Sequence, residues 1–205
     1  MPAPEPIPGW AVQAIVAAGR RMDARGWVPA TAGNISVRLD GSRIAITRSG
    51  GHKGFLTAAG VMQVDGDGRP LTGGARPSAE TALHCQVYRQ FPDARAVLHG
   101  HSVAGTVLSM ASPESALRIQ GYEVQKAFAG QTSHAPALDL PLFDNDQDIP
   151  ALAGRIAPVL PGCVLGYLIR GHGVYVWGPD MDSALARLEG LEFLLACELE
   201  RRRLR

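Results

Sequence analysis

Ala96-Val97-Leu98-His99-Gly100-His101-Ser102 is the stretch on which the reading of this chain turns. Three apolar residues lead into two histidines two positions apart, the composition of the end of a β-strand. Strand side chains alternate between faces, so His99 and His101 share one. A shared direction is what two ligands of one transition-metal ion need, and imidazole nitrogen suits Zn²⁺ and its neighbours. The run that follows, Val103 to Met110, reads as a helix, so a strand feeds directly into a helix at the candidate site.

Working outward, Trp10 to Arg25 carries Val12, Ile15, Val16 and Met22 at helical spacing and stops at Gly26. Asn34–Leu39 and Arg43–Thr47 are alternating runs around Asp40-Gly41, which predicts a hairpin. Pro77-Ser78 introduces a helix over Ala79–Gln90, with Ser78 as its N-cap. A strand is expected at Leu117–Gln120 and a helix at Ile149–Leu160, closed by Pro161-Gly162. Cys163–Trp177 is strongly β-like, interrupted at Arg170-Gly171-His172-Gly173, and Asp182–Arg203 reads as a long amphipathic helix. Helices and strands interleave along the whole chain, which predicts one α/β domain over residues 9–205 around a central sheet. Hairpin signals at both ends make that sheet mixed and mainly antiparallel.

The bulk composition narrows the function classes. The chain has 205 residues, 46% of them hydrophobic, enough for a sizeable core. A formal net charge of +1 provides no global field for nucleic acid or membranes. No apolar run approaches the roughly 20 residues of a membrane span, and no glycine fingerprint of a dinucleotide fold follows a first strand. Residues 1–8, rich in proline, read as a disordered or extended lead-in without the pattern of a signal peptide. Arg201, Arg202, Arg203 and Arg205 read as a solvated helix end. Cys85, Cys163 and Cys197 form no CxxC pair, and fit reduced, buried packing residues of a cytoplasmic protein.

Six histidines are available as a third ligand: His52, His84, His99, His101, His134 and His172. His172 stands apart because Gly171 and Gly173 flank it between two β-like runs, where glycine permits unusual dihedrals and close backbone approach. Three histidines with an open fourth position is the pattern of a catalytic zinc site. Glu80, at the start of the Ala79–Gln90 helix, is a further candidate, as metal ligand, acid/base or helix cap. His84 lies one turn on, placed as a hydrogen-bond partner rather than a fourth ligand. Glu123 is either a base with a pKa raised by desolvation or a surface glutamate. Three segments suit a phosphate: Gly33-Asn34-Ile35-Ser36, Ser49-Gly50-Gly51-His52-Lys53 and Pro77-Ser78.

These motifs, in this order from Gly33 to Trp177, resemble the class II aldolase/adducin-like family. The matching elements are Gly33-Asn34-Ile35-Ser36, Ser49-Gly50, Pro77-Ser78-Ala79-Glu80, His99-Gly100-His101-Ser102 and Arg170-Gly171-His172-Gly173. The resemblance implies a three-layer α/β/α fold with a mixed, mainly antiparallel sheet. It also implies a homotetramer with active sites near subunit boundaries, and one zinc ion per subunit held by His99, His101 and His172. Val174-Tyr175-Val176-Trp177-Gly178, Glu123 with Lys126, and Lys53 resemble the dehydratases of the family. That implies loss of water from a phosphorylated ketose, with Glu123 as acid/base and Asn34, Ser49, Gly50, Lys53 and Ser78 on the phosphate. Some dehydratases carry cysteine where this chain has Glu80, whereas sugar-phosphate aldolases carry glutamate. Aldol cleavage and 4-epimerisation are the alternative reactions, and a non-catalytic adducin-like module the alternative to an enzyme.

Overall fold

The computed structural model describes residues 5–71, 74 and 76–204; residues 1–4 of the expected lead-in, and Arg205, lie outside it. Eight strands form the central sheet among the described residues: β1 (Asn34–Arg38), β2 (Arg43–Thr47), β3 (Val61–Asp65), β4 (Ala96–Gly100), β5 (Ala116–Ile119), β6 (Leu138–Phe143), β7 (Tyr167–Ile169) and β8 (Val174–Gly178). Their order is β3-β2-β1-β4-β8-β7-β6-β5. Only β6 and β7 run parallel; the other neighbours are antiparallel. The β1–β2 turn closes because the Asp40 carboxylate accepts the backbone N–H groups of Ser42 and Arg43.

The helices are α1 (Gly9–Ala24), α2 (Thr81–Gln90), α3 (Val103–Ala111), α4 (Ile149–Ile156) and α5 (Met181–Arg203). On one face of the sheet Ile15 and Met22 of α1, Leu108 of α3 and Leu188 and Leu191 of α5 pack with Ile35, Leu98 and Val176. On the other, Leu83 and Val87 of α2 and Leu152 and Ile156 of α4 pack with Val64, Val97, Tyr175 and Trp177. Helices on both faces make the three-layer α/β/α arrangement, and they explain why β4 and β8 are buried along their whole length. Each fully buried aliphatic side chain contributes about 1.5–3 kcal/mol, so both apolar layers stabilise the strands that carry the histidines.

The structure corrects several expected boundaries. Helix α2 begins at Thr81, and Ser78 does not cap it. Glu80 takes the N-cap position with helical dihedrals, and the Ser78 hydroxyl lies 3.4 Å from both the Glu80 amide and its Oε2. Helix α4 stops at Ile156, with a separate 3₁₀ turn at Leu160–Gly162. Pro158 and Pro161 each lack the N–H that a continuing helix would need. Strands β3 and β6 carry no clear signal: Pro141 removes a donor inside Leu138–Phe143 and obscures its alternation. All three cysteines are free thiols, but Cys197 is only partly buried. Among the described residues no helix is long and apolar enough to cross a membrane.

Candidate active site

Alternation along β4 sends Leu98 to the α1/α5 side and Val97 to the α2/α4 side. His99 follows Val97 by two residues and meets Glu80 at the start of α2. The register sets Asn34 of β1 on one side of His99 and Tyr175 of β8 on the other. Tyr175 stacks on the fully buried His99 ring with centroids 4.1 Å apart. His99 Nδ1 donates to the Val174 carbonyl oxygen at 2.9 Å. That bond places the proton on Nδ1 and leaves the Nε2 lone pair facing the site.

His101 lies just past the strand end, its backbone N–H held by the Trp27 carbonyl at 2.7 Å. Its ring centroid is 4.5 Å from that of His99 and 4.8 Å from that of His172. His172 arrives on the turn between β7 and β8, where both flanking glycines are required. Gly171 has φ +62°, in the left-handed region. A Cβ on Gly173 would stand 2.2 Å from the Gly100 carbonyl oxygen. The three imidazoles each offer one ligand nitrogen, all within 4.8 Å of one another.

Glu80 completes the cluster. Its Oε1 lies 2.7 Å from His172 Nε2 and 3.7 Å from His99 Nε2, and its Oε2 accepts from the Asn34 amide. Burial alone would raise this carboxyl, but the facing imidazoles, His172 first and then His99, outweigh it and hold Glu80 well below the usual carboxylate range. Burial, aided by the neighbouring imidazoles, pushes His101 down to about 3, so its ring is neutral and able to donate a lone pair. Three neutral-capable imidazoles beside one carboxylate fit a divalent metal with nitrogen and oxygen preference.

Beside the cluster opens a cavity of about 230 Å³ whose lining includes Asn34, Ser49, Gly50, Lys53, Ser78, Glu80 and His101. All five phosphate candidates therefore meet in one place, against the metal-type residues. Lys53 is almost fully buried, and burial lowers its pKa to about 8 against the pull of Glu80. Its ammonium donates to the carbonyls of Thr31 and Gly51, at 2.8 and 2.7 Å.

Glu123 is placed differently. It sits in a 3₁₀ turn, Glu123–Ala127, with its side chain 69% exposed, paired to Lys126 and to His134. Its carboxyl is lowered, by the Lys126 hydrogen bond first, which outweighs the opposing effect of desolvation within this chain. It makes no hydrogen bond or ion pair to the histidine cluster among the described residues. Two contributors escaped sequence reasoning, Tyr175 beneath His99 and Asn145, whose Oδ1 is 3.2 Å from His172 Nδ1. Recognising β6 would have placed Asn145 at a strand end beside His172.

His84 lies buried behind the site, its Nδ1 2.8 Å from the Ser36 hydroxyl and its Nε2 without a partner among the described residues. Burial, with His99 nearby, lowers its pKa from 6.5 to about 3, so the folded ring is neutral. Between those values the unfolded state binds more protons. The stability contribution is complete above about pH 6.5 and is lost as pH falls toward 3, at up to roughly 1.4 kcal/mol per unit. His84→Gln is expected to flatten the urea-unfolding stability profile between pH 4 and 6.5 by about one proton. An unchanged slope would remove His84 from the acid sensitivity.

The Class II Aldolase and Adducin N-terminal domain family matches residues 13–199. A methylthioribulose-1-phosphate dehydratase of Gluconacetobacter diazotrophicus is 67% identical over 193 residues, covering 94% of each chain. The protein of that name from Granulibacter bethesdensis is 66% identical over 204 residues, 97% of this chain and 95% of that one. Among solved structures, an l-fuculose-1-phosphate aldolase from Thermus thermophilus superposes with a TM-score of 0.76 at 28% identity, covering 95% of both chains. The ordered motifs, the layered fold and these similarities agree: the chain belongs to the class II aldolase and adducin N-terminal domain family.

Proposed function

We propose that this chain is a metal-dependent hydro-lyase that converts 5-methylthioribulose 1-phosphate to 5-methylthio-2,3-dioxopentyl 1-phosphate and water, a step of methionine salvage. The observation that carries this reading is the convergence of His99, His101 and His172 beside a cavity lined by Ser49, Gly50, Lys53 and Ser78. The name shared by relatives at 66–67% identity supports the dehydratase over the aldolase.

On this reading His99, His101 and His172 would hold one zinc ion per subunit, which would supply Lewis-acid stabilisation of negative charge on the substrate. The remaining work belongs to the chain. Lys53, the Ser49 and Ser78 hydroxyls and the Gly50 backbone bind the C1 phosphate. Asn34 donates to Glu80 and orients its carboxylate toward His172 and His99. Dehydration removes the C3 proton and the C4 hydroxyl, and the resulting enol tautomerises to the 2,3-diketone. Glu123 is assigned the acid/base role that takes the proton and returns it to the departing hydroxyl. Because Glu123 lies outside its own chain's cavity, the reading includes a homotetramer in which a neighbouring copy brings Glu123 to the site. Residues 9–205 form the catalytic unit.

Incubation of purified protein with the substrate tests the reaction. Diketone absorbance with release of one water is expected; cleavage between C3 and C4 would instead indicate an aldolase. Glu123→Gln is expected to lower turnover by about 10²–10⁴-fold with little change in stability, since the side chain is exposed. Full turnover in that variant would end its acid/base role.

A further inference from the structure

Of the three imidazoles, His172 alone stands on a turn rather than on or beside β4, so something other than strand geometry must aim it. Its Nδ1 faces Asn145 Oδ1 at 3.2 Å. An amide oxygen only accepts, so the ring carries a proton on Nδ1, which directs Nε2 into the site as the nitrogen a metal would take. Nε2 is the atom that faces His99 Nε2, at 3.3 Å, and Glu80 Oε1, at 2.7 Å.

The neighbours of Asn145 and His172 along the chain are joined as well. Asp144 accepts from Arg170 Nε at 2.8 Å, so Asp144-Asn145 grips Arg170 and His172 together. The rest of the Arg170 guanidinium donates to the carbonyls of Ser109, Ser112 and Glu114, at and just beyond the C-terminal end of α3. The Gly171 amide donates to the Ser109 hydroxyl at 2.9 Å. At the opposite end of α3, Ser102, which follows His101, caps the helix by accepting from the Gly105 amide at 2.9 Å. One helix is therefore tied to the His99/His101 pair at its N-terminus and to the His172 turn at its C-terminus.

We infer that Asn145 and Arg170 are positioning residues for the metal centre: Asn145 sets the tautomer and direction of His172, and Arg170 fixes its turn to α3. This rests on the metal reading above and extends it to residues that do not touch the metal. Hydrogen-bond partners of metal-bound imidazoles typically govern 10–100-fold in metal affinity.

The test is zinc affinity of purified full-length protein, by chelator competition, together with the thermal midpoint of the metal-free form. Asn145→Ala is expected to lose about 10–100-fold in zinc affinity with an unchanged metal-free midpoint. Asn145→Asp, which restores an acceptor for Nδ1–H, is expected to recover most of the loss. Arg170→Lys, unable to reach three carbonyls and a carboxylate at once, is expected to weaken zinc binding and to alter the visible spectrum of the cobalt-loaded protein. Wild-type affinity in Asn145→Ala, or an aspartate variant as weak as the alanine one, overturns the inference. Absence of zinc binding by the wild type overturns the metal reading itself, so the two failures are distinguishable.

Discussion

His101→Ala is expected to abolish metal retention and to lower turnover on the order of 10³-fold or more. A catalytic metal contributes several kcal/mol of charge stabilisation, and each 1.36 kcal/mol is a factor of ten in rate. The choice among the three ligands matters. His99 is buried, stacked on Tyr175 and bonded to the Val174 carbonyl, so its removal would also open a cavity and orphan a backbone acceptor. His101 is only partly buried, and its anchoring bond, to Trp27, comes from the backbone. Alanine keeps that bond, so the fold should persist while the site loses a ligand. Metal content by atomic emission and turnover should fall together, and chelated wild type should match the variant. Retention of both metal and turnover would exclude His101 as a ligand.

Gly173→Ala is expected to damage fold and site at once. Its Cβ would fall 2.2 Å from the Gly100 carbonyl oxygen and 3.0 Å from Cε1 of His99. The first of these is backbone on the strand paired with β8, and no rotamer change relieves it. β4 and β8 must part where Gly100 pairs with Val174, and the His99 ring is crowded as well. A destabilisation of about 3 kcal/mol or more follows, the upper range for overpacking, with a midpoint lowered by roughly 6–12 °C. Zinc affinity should fall in the same variant. Gly154→Ala in α4 is the control: its Cβ meets nothing within 4 Å, and the helix should gain about 0.5–1 kcal/mol. Equal midpoints for the two variants would refute the packing argument.

The parts legible in the sequence are those governed by local repetition. The two-residue spacing of His99 and His101 fixes a common face, and Asp40-Gly41 between alternating runs marks the β1–β2 hairpin. Gly171 and Gly173 advertise a backbone that must bend and approach closely, and both demands are met. Elements with mixed signals were not legible: Pro141 obscures β6, and with it Asn145. Ser78 resembles a cap in sequence, which puts the start of α2 too early, whereas Glu80 occupies that position and turns its carboxylate to the histidines.

Sequence alone thus determined which groups are available: three imidazoles, a carboxylate and the phosphate-type turns, each set by short-range periodicity or turn chemistry. Tertiary structure decided which of them meet. His99 and His172 are 73 positions apart, and the pairing of β4 with β8 brings their Nε2 atoms to 3.3 Å. The same packing leaves Glu123 exposed, outside its own chain's cavity. Long-range contacts depend on strand order and register, which no local pattern encodes; that is why the metal ligands were readable as candidates while their orienting partners were not.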